Sequence, residues 1–271
     1  MLKQRVITAL ILAIVAVAAL FKASETLWQI LILAISIIAA WEWSGFARVK
    51  SFGLKAAYSL STLLLSYLAL QIIAPAWLYA LTVLETFVMF LVVIRYQKNE
   101  GTHGIHSSKL ILLAGWLSIV LFAVITIRFR ELFSAELLLL SMFVVWSMDT
   151  GAYFSGRRFG KTKLAVFVSP GKTWEGVWGG MALAFIISLF ALYWLQPQLN
   201  VSFIVFAALM AIIALLSVMG DLFESVLKRQ ADIKDSGNIL PGHGGILDRI
   251  DSLLIALPWF YILWSLGTAA Q

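Results

Sequence analysis

Four aspartates border apolar runs in this chain: Asp149, Asp221, Asp248 and Asp251. The last two are three residues apart, so a helix beginning near Leu247 carries both carboxylates on one side of its first turn. Such a pair admits two readings. It can complement the positive end of a helix, or supply oxygen ligands to a hard divalent cation that also holds substrate phosphates. Asp221 arrives from a separate apolar segment, and three convergent acids favour the cation, with Asp221, Asp248 and Asp251 as its ligands. They lie in or beside a polar stretch from Ser225 to Asp251, SVLKRQADIKDSGNILPGHGGILDRID, which adds Lys228, Arg229, Lys234 and Arg249. Acids that hold a metal beside bases that pair with phosphate oxygens suit chemistry on a phosphate or a nucleotide.

A second polar region has the same character. It runs through WSMDTGAYFSGRRFGKTK, from Trp146 to Lys163, and resumes as SPGKTWEG, from Ser169 to Gly176. Glycine lets backbone N–H groups approach an anion closely, while Ser169, Lys172 and Thr173 provide hydroxyls and countercharge. The triplet GKT occurs twice, yet neither copy is a P-loop, because Ser155 and Val166 stand where the spacing glycine of that motif belongs. A flexible basic loop lying on lipid headgroups is the other reading of this region. His243, in PGHGG, is a loop residue by spacing alone, with phosphate donor or ligand as alternatives. Glu85 stands in the middle of an apolar run, where an ionisable group costs at least about 2–3 kcal/mol and pairs or faces a cavity; a structural, hydrogen-bonded glutamate fits it equally.

The elements that must carry these groups are membrane helices. Hydrophobic residues make up 62% of the 271 and charged residues 13%, far from the proportions of a soluble domain. Mean hydropathy is +0.95. Windows of bilayer length predict nine spans: Val6 to Phe21, Leu27 to Trp41, Ala56 to Ala74, Trp77 to Ile94, Leu110 to Ile127, Leu137 to Phe154, Val177 to Leu195, Val201 to Met219 and Ser252 to Leu266. The first follows Lys3 and Arg5 as a signal peptide would, but its exit, LFKASE, is a poor cleavage site, so a retained helix is expected. There is no cysteine, hence no disulfide and no thiolate metal site.

The bases orient the bundle. With the amino terminus in the cytoplasm, the inner segments hold Lys3, Arg5, Arg48, Lys50, Lys55, Arg95, Lys98, Lys109, Arg157, Arg158, Lys161, Lys163, Lys172, Lys228, Arg229, Lys234 and Arg249. These are 17 of the 20, leaving Lys22, Arg128 and Arg130 outside. The asymmetry implies an inward amino terminus, an outward (periplasmic) carboxyl terminus, and a cluster of acids that faces the cytoplasm. The net charge of +6 then needs no nucleic acid to explain it, because bases on that face meet anionic lipid. The expected organisation is all-α and polytopic. Residues 1–135 carry about five N-terminal helices, and residues 136–271 form the catalytic region, with cytoplasmic loops at 155–175 and 220–251.

The stretch quoted above resembles, position for position, the signature of the phosphatidate cytidylyltransferases. Ser225, Lys228, Arg229, Lys234, Asp235, Gly237, Leu240, Pro241, His243, Gly244, Gly245, Asp248, Arg249 and Asp251 all fall where that pattern wants them. DTGAYFSGRRFGKTKL and SPGKTWEG are similar to segments of the same family. The resemblance implies transfer of a cytidylyl group from CTP to phosphatidic acid in a bacterial inner membrane, dependence on magnesium with room for a second cation, and a homodimer. It makes Asp221, Asp248, Asp251, Lys228 and Lys234 catalytic. Lys172, Thr173, Ser169, Arg229, His243, Arg249 and Asp149 become contacts to the nucleotide or the lipid phosphate. A CTP-dependent lipid kinase and a secondary transporter are the alternatives; a CDP-alcohol phosphotransferase is disfavoured because its aspartate motif is absent.

Overall fold

The computed structural model describes residues 13–240, 242 and 244–268. Its helices are α1 (Ala13–Lys22), α2 (Glu25–Phe46), α3 (Phe52–Ile72), α4 (Pro75–Lys98), α5 (Ser108–Leu132), α6 (Ala135–Phe159), α7 (Trp174–Leu195), α8 (Phe203–Ala231) and α9 (Leu247–Gly267). Most begin at a hydroxyl. Ser24, Ser51, Ser107, Ser134, Thr173 and Ser202 each accept from the amide three residues on, at 3.2 to 3.5 Å, which satisfies a donor that the helix itself leaves open. Helix α4 starts instead with Pro75, whose fixed φ suits a first turn and whose missing N–H is no loss there.

Among the described residues, eight helices (α2 to α9) are long and apolar enough to cross a membrane. The expected first span, Val6 to Phe21, lies partly outside the described residues, and its remainder is α1. Lipid-facing stripes follow the helical period: Leu60, Leu64 and Leu68 on α3, and Leu84, Phe87 and Leu91 on α4, are exposed. Apolar surface of this extent suits hydrocarbon, with every backbone group satisfied inside its own helix. The interior lies around α5, α8 and α9, where Ile119, Ile125, Phe129, Phe206, Leu257, Phe260 and Trp264 are fully buried. The indole of Trp264 donates to Ser141 Oγ on α6 at 3.1 Å, so its polar atom is not stranded in that core.

Two sequence-based boundaries need correction. The eighth span does not end at Met219; α8 continues to Ala231, so Asp221 sits inside the helix rather than beyond it. A hydropathy window stops at the first charge, but Leu222, Phe223, Val226 and Leu227 are buried, and the helical stripe persists past that charge. The expected loop at 155–175 is also structured. Helix α6 runs on to Phe159, and a hairpin follows, β1 (Lys163–Ala165) paired antiparallel with β2 (Ser169–Thr173), with Lys163 opposite Thr173 and Ala165 opposite Ser169. The stretch from Ser225 to Asp251 is therefore irregular only between α8 and α9, and α9 does begin at Leu247.

Helices α6 and α7 touch backbone to backbone. A Cβ on Gly151 would lie 2.9 Å from the Cα of Gly180, and one on Gly176 would lie 2.8 Å from the carbonyl oxygen of Ala152. Small residues allow this approach, which replaces a missing hydrophobic drive between helices with close van der Waals contact. It fixes the hairpin, carried between the two helices, against the end of the bundle.

At the opposite end, two of the three bases outside the main cluster cap helix carbonyls. Arg128 donates to Ile73 O at 2.8 Å and Leu70 O at 3.0 Å, and Arg130 donates to Ala23 O at 2.6 Å.

Candidate active site

The polar face of α8 is written with helical spacing. Asp221, Glu224, Ser225 and Lys228 follow one another at steps of three, one and three, so all four project to one side. Helix α9 meets this face at its first turn, where Gly220 allows the crossing: a Cβ there would run into the backbone oxygen of Asp251. The hairpin adds Lys172 from β2, and α6 adds Asp149.

These elements bring six of the twelve expected residues, Asp149, Lys172, Asp221, Lys228, Asp248 and Asp251, into one continuous run of charges. Lys172 Nζ is 2.7 Å from Asp221 Oδ2, and Ser225 Oγ donates to Asp221 Oδ1 at 3.3 Å. Asp149 is exposed, within electrostatic reach of Lys172 and Asp221 and beside Ser252. Asp251 lies against the carboxyls of Glu224 and Asp221 and accepts from Ser252 N at 2.8 Å. Lys228 bridges two acids, Glu224 Oε2 at 2.8 Å and Asp248 Oδ1 at 2.9 Å. The other oxygen of Asp248 accepts from Ser236 N at 2.9 Å, Ser236 Oγ at 3.0 Å and Gly245 N at 2.8 Å. Gly244, at φ +82°, makes the turn that aims this last stretch of backbone.

Five carboxyl groups, from Asp149, Asp221, Glu224, Asp248 and Asp251, thus share two ammonium groups, those of Lys172 and Lys228. Glu224 is 2% exposed and its Oε1 has no hydrogen-bond partner. An unsatisfied oxygen within a buried cluster of acids suits an added cation. Hard carboxylate oxygens are the donors that magnesium takes. Among the described residues no three acid or imidazole side chains already converge on one point. Asp221 and Asp248 instead hold the two lysines.

Other expected residues take different positions. The Thr173 hydroxyl caps α7, accepting from Gly176 N at 3.2 Å, and is buried against Gly156 and Gly160 of α6. Ser169 is half-buried in β2, and Arg229, Lys234 and Arg249 are exposed around the run. His243 lies outside the described residues. Glu85 is buried on α4 beside Ser118, apart from these contacts. Two residues that sequence reasoning missed are Glu224 and Glu42. Glu224 stands three residues after Asp221 and four before Lys228, a spacing that does signal a shared face. Glu42, in WEWSG, is an acid inside an apolar run, the same signal that singled out Glu85.

A bundle with eight apolar helices long enough to cross a membrane, and a run of carboxylates and lysines gathered at one end, defines a multi-pass membrane protein with a polar site. The chain matches the sequence pattern of the Cytidylyltransferase family over residues 3–266, and it belongs to that family. It is 38% identical over 278 residues to a phosphatidate cytidylyltransferase of Pseudomonas aeruginosa, covering 100% of both chains. It is 37% identical to one of Haemophilus influenzae, covering 96% of this chain and 97% of that one. With the Bacillus subtilis enzyme of the same name it shares 43% identity over 142 residues, about half of each chain.

Proposed function

We propose that the chain is a phosphatidate cytidylyltransferase, converting CTP and phosphatidic acid to CDP-diacylglycerol and pyrophosphate. The observation that carries this reading is the run of acids and bases at the membrane edge, in a chain of this family. There a lipid phosphate at headgroup depth and a nucleotide from the aqueous phase can meet. A phosphatidate oxygen attacks the α-phosphorus of CTP in line; the bond from that phosphorus to the α–β bridging oxygen breaks, and pyrophosphate leaves with the electron pair. No general base is required, because the attacking oxygen is already ionised. The barrier between two anions falls through orientation and charge neutralisation.

Asp221, Asp248 and Asp251 would hold magnesium, with Glu224 and Asp149 at hand for a second cation. Magnesium held by these carboxylates would supply charge neutralisation to the substrates' phosphates. Lys172 and Lys228 are drawn from their carboxylate partners to phosphate oxygens as substrate enters. The exposed Arg229, Lys234 and Arg249, with Ser169 and His243, contact the triphosphate or the lipid phosphate. Thr173 acts by holding Lys172 in register at the start of α7. A homodimer in a bacterial inner membrane belongs to the same reading.

CTP labelled at either the α- or the γ-phosphate tests the reaction. With purified protein, phosphatidic acid and magnesium, the α-label is expected in lipid and the γ-label in pyrophosphate. The γ-label in lipid would establish a kinase, and no labelled lipid would favour a transporter. The orientation proposed here places the site in the cytoplasm and the carboxyl terminus in the periplasm. A phosphatase fused after Gln271 should therefore be active and a fluorescent protein fused there dark; the opposite result would invert the bundle.

A further inference from the structure

Among the helices of the site, α9 is the one whose N-cap residue supplies no side-chain cap. Ile246 occupies the N-cap position with helical angles, φ −69° and ψ −38°, and offers no acceptor. The acceptors come from α2. Glu42 Oε1 accepts from Ile246 N at 3.1 Å and Glu42 Oε2 from Leu247 N at 2.9 Å, across 204 and 205 residues of sequence. Oε2 also lies 3.2 Å from Ser236 Oγ, the hydroxyl that stands 3.0 Å from Asp248 Oδ2. The chain packs closely here: a Cβ on Gly237 would crowd the Glu42 carboxyl, and one on Gly245 would crowd Ser236 Oγ and the same carboxyl. One carboxylate therefore grips both ends of the segment joining α8 to α9, and its grip ends on the partners of Asp248.

Glu42 is 4% exposed in a membrane helix, where a carboxylate is costly unless donors surround it. Among the described residues, its donors are the Ile246 and Leu247 amides at the start of α9, with the Ser236 hydroxyl shared between it and Asp248. We propose that Glu42 is a positioning residue for cytidylyl transfer: it caps α9 from another helix and so sets the direction of the Asp248 carboxylate. This rests on the reaction proposed above. Glu42 touches no substrate and acts through Ser236, Ile246 and Leu247. Supporting groups that orient a metal- or phosphate-holding side chain commonly control about 10- to 100-fold in activity.

The test compares wild type with Glu42→Gln and Glu42→Ala by steady-state transfer of α-labelled CTP and by hydrogen–deuterium exchange in detergent. Glutamine keeps the size of the side chain but replaces one accepting oxygen with an NH2 that faces donors, so the bundle stays folded while the cap weakens. Glu42→Gln is expected to lower kcat about 10- to 100-fold with KM for CTP within about threefold, and to speed exchange in peptides covering residues 236–250 alone. Glu85→Gln, a buried acid remote from the cap, should leave both readouts at wild-type values. A wild-type kcat in Glu42→Gln overturns the proposal. So does a loss of kcat accompanied by faster exchange throughout the bundle, which marks general destabilisation. If Glu42→Ala fails to fold, Glu42→Gln decides. Failure of the wild type to label lipid would sink the reaction instead, and the exchange pattern would still report on the cap.

Discussion

Asp221→Ala, Asp248→Ala and Asp251→Ala are each expected to lower turnover by on the order of 10³-fold, with the protein still inserted and monodisperse in detergent. Each aspartate belongs to the run of contacts that links α8, α9 and the hairpin. Removing Asp221 frees Lys172 from its partner at 2.7 Å, and removing Asp248 opens the three-donor contact with Ser236 and Gly245. Removing Asp251 takes away the group between Asp221 and Glu224. In the proposed reaction the three aspartates hold the cation that neutralises the substrate phosphates, so each loss is expected to weaken that cation's hold. Asp232→Ala is the matched comparison. Asp232 meets Arg48 at 2.7 Å, but their side chains are 83% and 61% exposed, so a small effect is expected. Wild-type turnover of the three variants in excess magnesium would remove the aspartates from the metal site.

Lys228→Met separates stability from catalysis. Its ammonium stands between Glu224 and Asp248, and the three side chains are 16%, 2% and 9% exposed. Removing the base leaves two buried acids without their counterion, a change that costs about 3–5 kcal/mol. The variant should therefore lose on the order of 10 °C in thermal midpoint and most of its activity. Adding Glu224→Gln to Lys228→Met removes one of the stranded charges and should recover much of the thermal stability with no recovery of turnover. Scanning fluorimetry beside the labelled-CTP assay reads both. Recovery of activity in the double variant would show that Lys228 serves the fold alone.

How much of this was legible beforehand depends on the range of the interaction. The spans were readable because hydropathy is local, and the start of α9 could be placed near Leu247 because two aspartates at helical spacing, Asp248 and Asp251, lead into the apolar run from Ser252. The far end of α8 was not, since a hydropathy window stops at Asp221 although Leu222, Phe223, Val226 and Leu227 keep the helix buried. The hairpin was missed because five residues of polar and glycine-rich strand, Ser169–Thr173, carry no alternating pattern. Lys172 was expected to meet phosphate, and its grip on Asp221 came only with the hairpin. Glu224 was accessible to helical spacing and was overlooked beside more conspicuous neighbours. The partners of Glu42 could not be inferred at all, because they lie about two hundred residues away and no local pattern joins them.

The cap on α9 also sets an order of events during synthesis. Glu42 enters the membrane with α2, while Ser236, Ile246 and Leu247, which donate to it, are among the last quarter of the chain to be made. Until then its carboxylate lacks the hydrogen bonds that make burial tolerable. The surroundings of Glu42 on α2 are therefore completed only when the start of α9 is in place, and a fragment ending before Ile246 is expected to lack both the cap and activity.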